Sequence, residues 1–398
     1  MRKTKSLTNN LDWPLLIGFL TLICFGLMTI YSVAFNDESP SIFSFSEKYG
    51  KQIMWICLSL FLGVIVFLID SDIYKKFALP VYFVTLGLLV LVLFMPPING
   101  ARAWLGIGSM GIQPAEFAKT STALLLARYI GGLNLKQLNS KKVFIALIII
   151  VIPMALILLQ PDAGTFIVFT AFFFVLYREG LTFDPFILNF INLIPKVKYK
   201  STWIGSHFIP ILFVLVFLSL LTLLLGHKNI GIIPGVPLYG SLGIIVSLLL
   251  ISIAGILFVQ KFGTKRELKK VRLIIILSFI VASFTSFIVE YSFVQIADHQ
   301  KDRIELFLGL KEDPNGKDYN RNRAMAAVGS GGFIGKGYKN ASVSSVKTNH
   351  VPESETDFIF CPYAEEWGFL GSIVLLFLYL FVIIRILIIA ERQRSSFN

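Results

Sequence analysis

Charge is what this sequence has least of. Only 15% of its 398 residues are Asp, Glu, Lys or Arg, where a soluble domain carries about a quarter. That deficit excludes an ordinary water-soluble fold of this length. Cysteine is as sparse: Cys24, Cys57 and Cys361 lie in or beside apolar stretches and outline no disulfide framework. The four histidines, His207, His227, His299 and His350, lack the spacing of a zinc site. The first apolar run follows MRKTK, is too long for a signal-peptide core and shows no small-residue cleavage site, so it is kept as a span.

What is present instead is apolar bulk. Hydrophobic residues make up 55% of the chain, with 37 Phe and a mean hydropathy of +0.75. Apolar runs of roughly 20 residues recur, each long enough to cross a bilayer as helix. The expectation is an all-α, polytopic membrane protein forming one domain over 1–398. Ten spans are expected, at 13–34, 52–70, 77–95, 114–131, 142–160, 163–178, 206–226, 236–260, 272–296 and 358–390.

The formal charge of +12 does not mark a nucleic-acid binder, because its cations alternate between short loops. One set holds Lys75 and Lys76, Lys136 to Lys142, Lys196 to Lys200 and the run KFGTKRELKKVR (261–272); the opposite set holds few. Cytoplasmic loops carry that excess. Both termini are therefore expected inside, and the polar stretch 297–357 between the last two spans outside. Residues 183–200 read as an interfacial element or a partly buried loop.

Three polar insertions fall on the outward side. The first is NGARAWLGIGSMGIQPAEFAK (99–119). Pro114 suits a first helical turn and Glu116 the positive end of the helix dipole. Glu116 and Lys119 are spaced to pair on one face; such a pair serves either function or interfacial anchoring. Arg102 and Trp104 suit interfacial anchoring or substrate contact. The second insertion is QPDAGT (160–165), where Asp162 reads first as a helix cap. The third is the long loop, where EDPNGKDYN (312–320) holds Asp313 at a tight turn. Glu312, Asp318 and Asp302 compete with it as candidate catalytic carboxylates. GSGGFIGKG (329–337) is no P-loop, yet its amides with Lys336, and Ser330 beside them, suit an anionic phosphate. Three insertions on one face point to a single cavity.

Taken together these motifs resemble the SEDS family of bacterial wall synthesis, the RodA and FtsW glycosyltransferases. The likeness runs through NGARAWL (99–105), QPAEFAK (113–119), QPDAGT (160–165), EDPNGKDYN (312–320), AVGSGGFIGKG (327–337), PESETDFIF (352–360) and AEEWGFLG (364–371), in order along the chain. Short tails favour RodA. The resemblance implies a peptidoglycan polymerase of the bacterial cytoplasmic membrane acting on lipid II, with Asp313 as the essential acid. Its carboxylate would serve as general base for a sugar hydroxyl attacking an anomeric carbon. Arg102, Lys119, Arg303 and Lys336 would stabilise the departing pyrophosphate, with Glu116 and Asp162 holding Lys119. The partner implied is a class B penicillin-binding protein, since this chain carries no transpeptidase motif of its own.

Departures from the family pattern are Asp318 for a Gly, Glu355 for a His, Ala163 for a Leu, and Gly309 for an acidic residue. The two added carboxylates would reshape the pocket or recruit a divalent cation such as Mg or Mn. Two rival readings remain, a flippase for lipid-linked precursor and a non-catalytic scaffold. A division role in place of elongation is also left open.

Overall fold

A computed structural model describes residues 11–35, 47–97, 102–107, 110–133, 139–185, 207–225, 240–262, 265–295, 319–345 and 350–393, with a few isolated positions besides. Each of the ten expected spans coincides with a helix. These are α1 (Trp13–Ala34), α2 (Lys48–Leu68), α3 (Ser71–Val92), α4 (Pro114–Gly131) and α5 (Ser140–Leu159). There follow α6 (Ala163–Arg178), α7 (Phe208–Leu225), α8 (Gly240–Phe262), α9 (Lys265–Gln295) and, last in the chain, α11 (Phe360–Arg392). Helix is imposed because hydrocarbon offers no partner for an open backbone group.

Seven of these helices are long and apolar enough to cross a membrane, and α6 and α7 contribute shorter apolar helices. The chain is a multi-pass helical membrane protein. The remaining helix, α4, carries Glu116, Lys119 and Arg128 within its 18 residues. α9 starts at Lys265, ahead of the expected 272, so it takes in part of the basic run.

Two elements were not foreseen. Inside the first insertion, strands β1 (Leu105–Ile107) and β2 (Met110–Ile112) pair antiparallel, Leu105 opposite Ile112. Inside the long loop, α10 (Tyr319–Ser330) forms on good helix formers, with Ala324 and Ala327 buried one turn apart. The element expected over 183–200 lies almost wholly outside the described residues.

The chain divides into two compact units, 78–312 and the pairing of 1–77 with 313–398. In the first, α3, α4, α5 and α6 enclose Leu125, Leu126, Ala146, Ile150 and Leu176. Polar side chains tie these helices in their buried interior. Tyr82 donates from its hydroxyl to the Ile149 carbonyl at 3.0 Å, and Thr85 meets Ser121 at 2.7 Å. In the second unit, Gly18 of α1 lies against α11, where a Cβ would come within 3.1 Å of Val382. Arg385 of α11 grips Asp12 through two bonds of 2.8 Å, while Asp12 caps α1 by accepting from the Leu15 amide at 3.0 Å. That guanidinium holds the Asp12 carboxyl below its ordinary 3.8.

Candidate functional site

In the unit 78–312 a polar apex forms where α3, α4, α5 and α6 end. Gln160, at the C-cap of α5, is fully buried and donates to the Leu89 carbonyl at 3.2 Å. Its own carbonyl accepts the Arg102 amide at 3.2 Å, and the Arg102 guanidinium reaches the Leu93 carbonyl at 3.1 Å. The segment before the hairpin is thereby tied to the ends of α3 and α5. Trp104 is 43% exposed, and its ring lies over Gly111, where a Cβ would come within 3.1 Å of the indole. Glycine there lets the hairpin seat the ring.

Pro114 opens α4 and Glu116 follows in its first turn, which suits the missing amide and the helix dipole. Glu116 and Lys119 pair at 2.8 Å, both partly exposed. Asp162 caps α6: Oδ1 accepts the Thr165 amide at 3.0 Å, and Oδ2 accepts the Thr165 hydroxyl at 2.8 Å and the Gln113 amide group at 3.0 Å. The expected hold of Asp162 on Lys119 is therefore replaced. Both its oxygens serve the α6 start and Gln113, the N-cap of α4, and Glu116 alone is the carboxylate paired with Lys119 among the described residues.

In the other unit the glycine-rich stretch does something the sequence did not suggest. Inside α11, Gly368 takes φ 64° and ψ −161°, which breaks the helix. A continuous helix would bond the Phe369 amide to the Glu365 carbonyl and the Leu370 amide to the Glu366 carbonyl. Here those carbonyls accept from the Lys336 and Gly337 amides, at 3.0 and 2.9 Å. The freed Phe369 and Leu370 amides donate to the Gly332 and Phe333 carbonyls, at 3.0 and 3.2 Å. Two lost helical bonds become four bonds to the strap 331–345, as a break within a membrane helix requires.

This geometry revises the phosphate-cradle reading. The amides of Gly335, Lys336 and Gly337 are spent on the Gly331, Glu365 and Glu366 carbonyls. Close packing requires the glycines: a Cβ on Gly331 would sit 2.3 Å from the Ala364 carbonyl oxygen. The Lys336 ammonium is likewise engaged, bonding Ser330 Oγ and Ser342 Oγ at 2.9 Å each and Glu365 Oε1 at 2.5 Å.

Glu365 and Glu366 were missed as site residues, although two adjacent carboxylates at the start of an apolar span are costly enough to be a signal. Both are buried. Glu365 Oε1 also accepts from the Ser342 and Val343 amides at 2.9 Å, and Oε2 from the Ser344 amide at 2.9 Å and its hydroxyl at 2.5 Å. Glu366 Oε1 accepts from Ser32 of α1 and from the Lys339 amide. Lys339 lies over the Tyr31 and Phe35 rings, at 4.6 and 3.9 Å. Burial pushes the neighbouring Tyr338 hydroxyl above its ordinary 10, with Glu366 and Tyr31 adding to the shift.

Glu355, expected to add charge or recruit a cation, is paired with Lys48. Among the described residues no group of three His, Cys, Asp or Glu side chains gathers to hold a metal. Asp313, Arg303, Glu312, Asp318 and Asp302 lie outside the described residues.

The family profile FTSW_RODA_SPOVE, cell cycle protein, matches residues 13–205 and 241–398. Among curated relatives, the peptidoglycan glycosyltransferase RodA of Treponema pallidum (strain Nichols) is 29% identical, over 94% of this chain and 80% of its own. The peptidoglycan glycosyltransferase MrdB of Escherichia coli (strain K12) is 26% identical, over 98% and 78%. A probable peptidoglycan glycosyltransferase FtsW of Borreliella burgdorferi is 24% identical, over 98% and 81%. In fold, the chain is similar to one solved in work described as "Structural coordination of polymerization and crosslinking by a peptidoglycan synthase complex". There the TM-score is 0.57 at 21% identity, covering 97% of this chain and 80% of that one.

Proposed function

The chain belongs to the FTSW_RODA_SPOVE family of cell cycle proteins, and from that membership we propose how it works. It is a peptidoglycan glycosyltransferase, and its substrate is lipid II, polymerised into glycan strands at the outer face of the bacterial cytoplasmic membrane. Both termini lie in the cytoplasm and the polar stretch 297–357 faces outward, as the alternating basic loops support. The observation that carries the reading is the family match through nearly the whole chain together with the D-P-x-G sequence at Asp313.

In the proposed reaction the Asp313 carboxylate takes the proton of the attacking sugar hydroxyl. The hydroxyl oxygen bonds to the anomeric carbon as the bond to the pyrophosphate oxygen breaks, and the pyrophosphate departs as an anion. Arg102 and Lys119 meet that developing charge. Glu116 orients Lys119, Asp162 orients the α6 start and Gln113, and exposed Trp104 offers a flat face to a sugar ring. A class B penicillin-binding protein cross-links the product.

The test is gel-resolved polymerisation of lipid II by the purified protein with its partner, comparing wild type with Asp313→Asn. Strands from wild type and none from a folded Asp313→Asn protein are expected. Equal polymer from both moves the base elsewhere. No polymer from either, with lipid II crossing vesicles, makes the chain a flippase.

A further inference from the structure

One ammonium in this protein joins three pieces of chain. Lys336 Nζ bonds Ser330 Oγ at the last residue of α10, Ser342 Oγ in the strap, and Glu365 Oε1 in α11. Its three protons match three acceptors. Glu365 answers with both oxygens, gathering the Ser342, Val343 and Ser344 amides and the Ser344 hydroxyl. The Glu365 side chain is wholly buried while Lys336 stays 29% exposed. Buried charges in such a pair are costly to separate, because the survivor keeps its desolvation without its partner.

The clamp has a lever attached. α10 packs through Ala324 and Ala327 against Val351 and Cys361, and its first residue, Tyr319, stands six positions after Asp313. The hold at Ser330 fixes one end of α10, and in sequence the stretch that carries Asp313 precedes the other. Arg323 adds a tie by donating to the His350 carbonyl at 2.9 Å.

We propose that Glu365 and Lys336 are positioning residues for polymerisation. They lock the strap and α10 onto the broken α11 and thereby fix where the chain that carries Asp313 enters α10. This rests on the glycosyltransferase reading above, with Lys336 acting through Glu365 and not on the pyrophosphate as the resemblance implied. Small displacements of a reacting group are expensive in rate, so the pair governs turnover and leaves substrate affinity alone.

The experiment compares wild type, Lys336→Met, Glu365→Gln and the double variant, measuring kcat and KM for lipid II together with hydrogen exchange of 319–345. Lys336→Met should lose roughly 10- to 100-fold in kcat at unchanged KM. Exchange in α10 and the strap should quicken about tenfold or more. Adding Glu365→Gln should restore roughly fivefold or more over Lys336→Met, because the buried carboxylate left without its countercharge is then neutral. Where Lys336→Met fails to fold, Ser344→Ala removes one bond to Glu365 and should lower kcat about threefold at unchanged KM.

A raised KM with intact kcat in Lys336→Met overturns the proposal and returns Lys336 to the substrate. So does unchanged exchange across 319–345. Wild type that makes no polymer overturns the underlying reading instead.

Discussion

Gly335 and Gly368 meet backbone to backbone: a Cβ on Gly368 would lie 2.3 Å from the Gly335 nitrogen, and one on Gly335 would lie 2.1 Å from the Glu366 carbonyl oxygen. Both residues also take positive φ, 92° and 64°. Two independent penalties therefore meet any side chain here. Strain of this kind costs about 1–3 kcal/mol and overpacking a similar amount. Gly335→Ala and Gly368→Ala should each lower the thermal unfolding midpoint sharply in detergent. Gly329→Ala, where nothing lies within 4 Å of the added Cβ, should leave it equal or higher.

Asp162→Ala removes the cap of α6 and the acceptor of Gln113 together. Loss of a cap costs about 1 kcal/mol. Thermal unfolding should show that loss. Asp162→Asn, which keeps one acceptor oxygen, should show a smaller one.

Lys119 and Glu116 form a partly exposed pair one helical turn apart. Pairs of this kind contribute under about 0.5 kcal/mol. Lys119→Ala should therefore unfold close to wild type and yet polymerise lipid II roughly 100-fold more slowly, the usual loss when a group facing a developing anion is removed. An equal loss in Glu116→Ala at normal stability would show that the pair acts as a unit.

Asp12 titrates below its ordinary 3.8 because Arg385 holds its charged form. For a carboxyl lowered in the folded state, the stabilisation is complete above the ordinary value and is lost as pH falls through the folded one. The unfolding midpoint should thus fall on acidification below 3.8, and Asp12→Asn should remove that part of the fall. The variant should also be less stable at neutral pH.

Gly111 supports the Trp104 ring from beneath. Gly111→Val should displace the indole, seen as a shifted tryptophan emission. Weaker polymerisation is expected if the ring holds a sugar, with little change in global stability at this exposed hairpin.

By itself the amino-acid sequence determined the helices, because a span is a local property: roughly 20 apolar residues in hydrocarbon must close their own hydrogen bonds. Each of the ten expected stretches accordingly became a helix. The Glu116–Lys119 pair and the capping role of Asp162 were legible for the same reason, as their partners lie within one turn. What only the tertiary structure decided depends on residues far apart in the chain. The glycine-rich stretch 329–337 resembled an anion cradle until the break at Gly368, more than thirty positions on, supplied the Glu365 and Glu366 carbonyls that take the Lys336 and Gly337 amides. Glu365 read as one more residue in a span until its donors arrived from Lys336 and 342–344. Periodicity reports which face of a helix is apolar; it carries no information about which distant backbone will replace a broken helical bond.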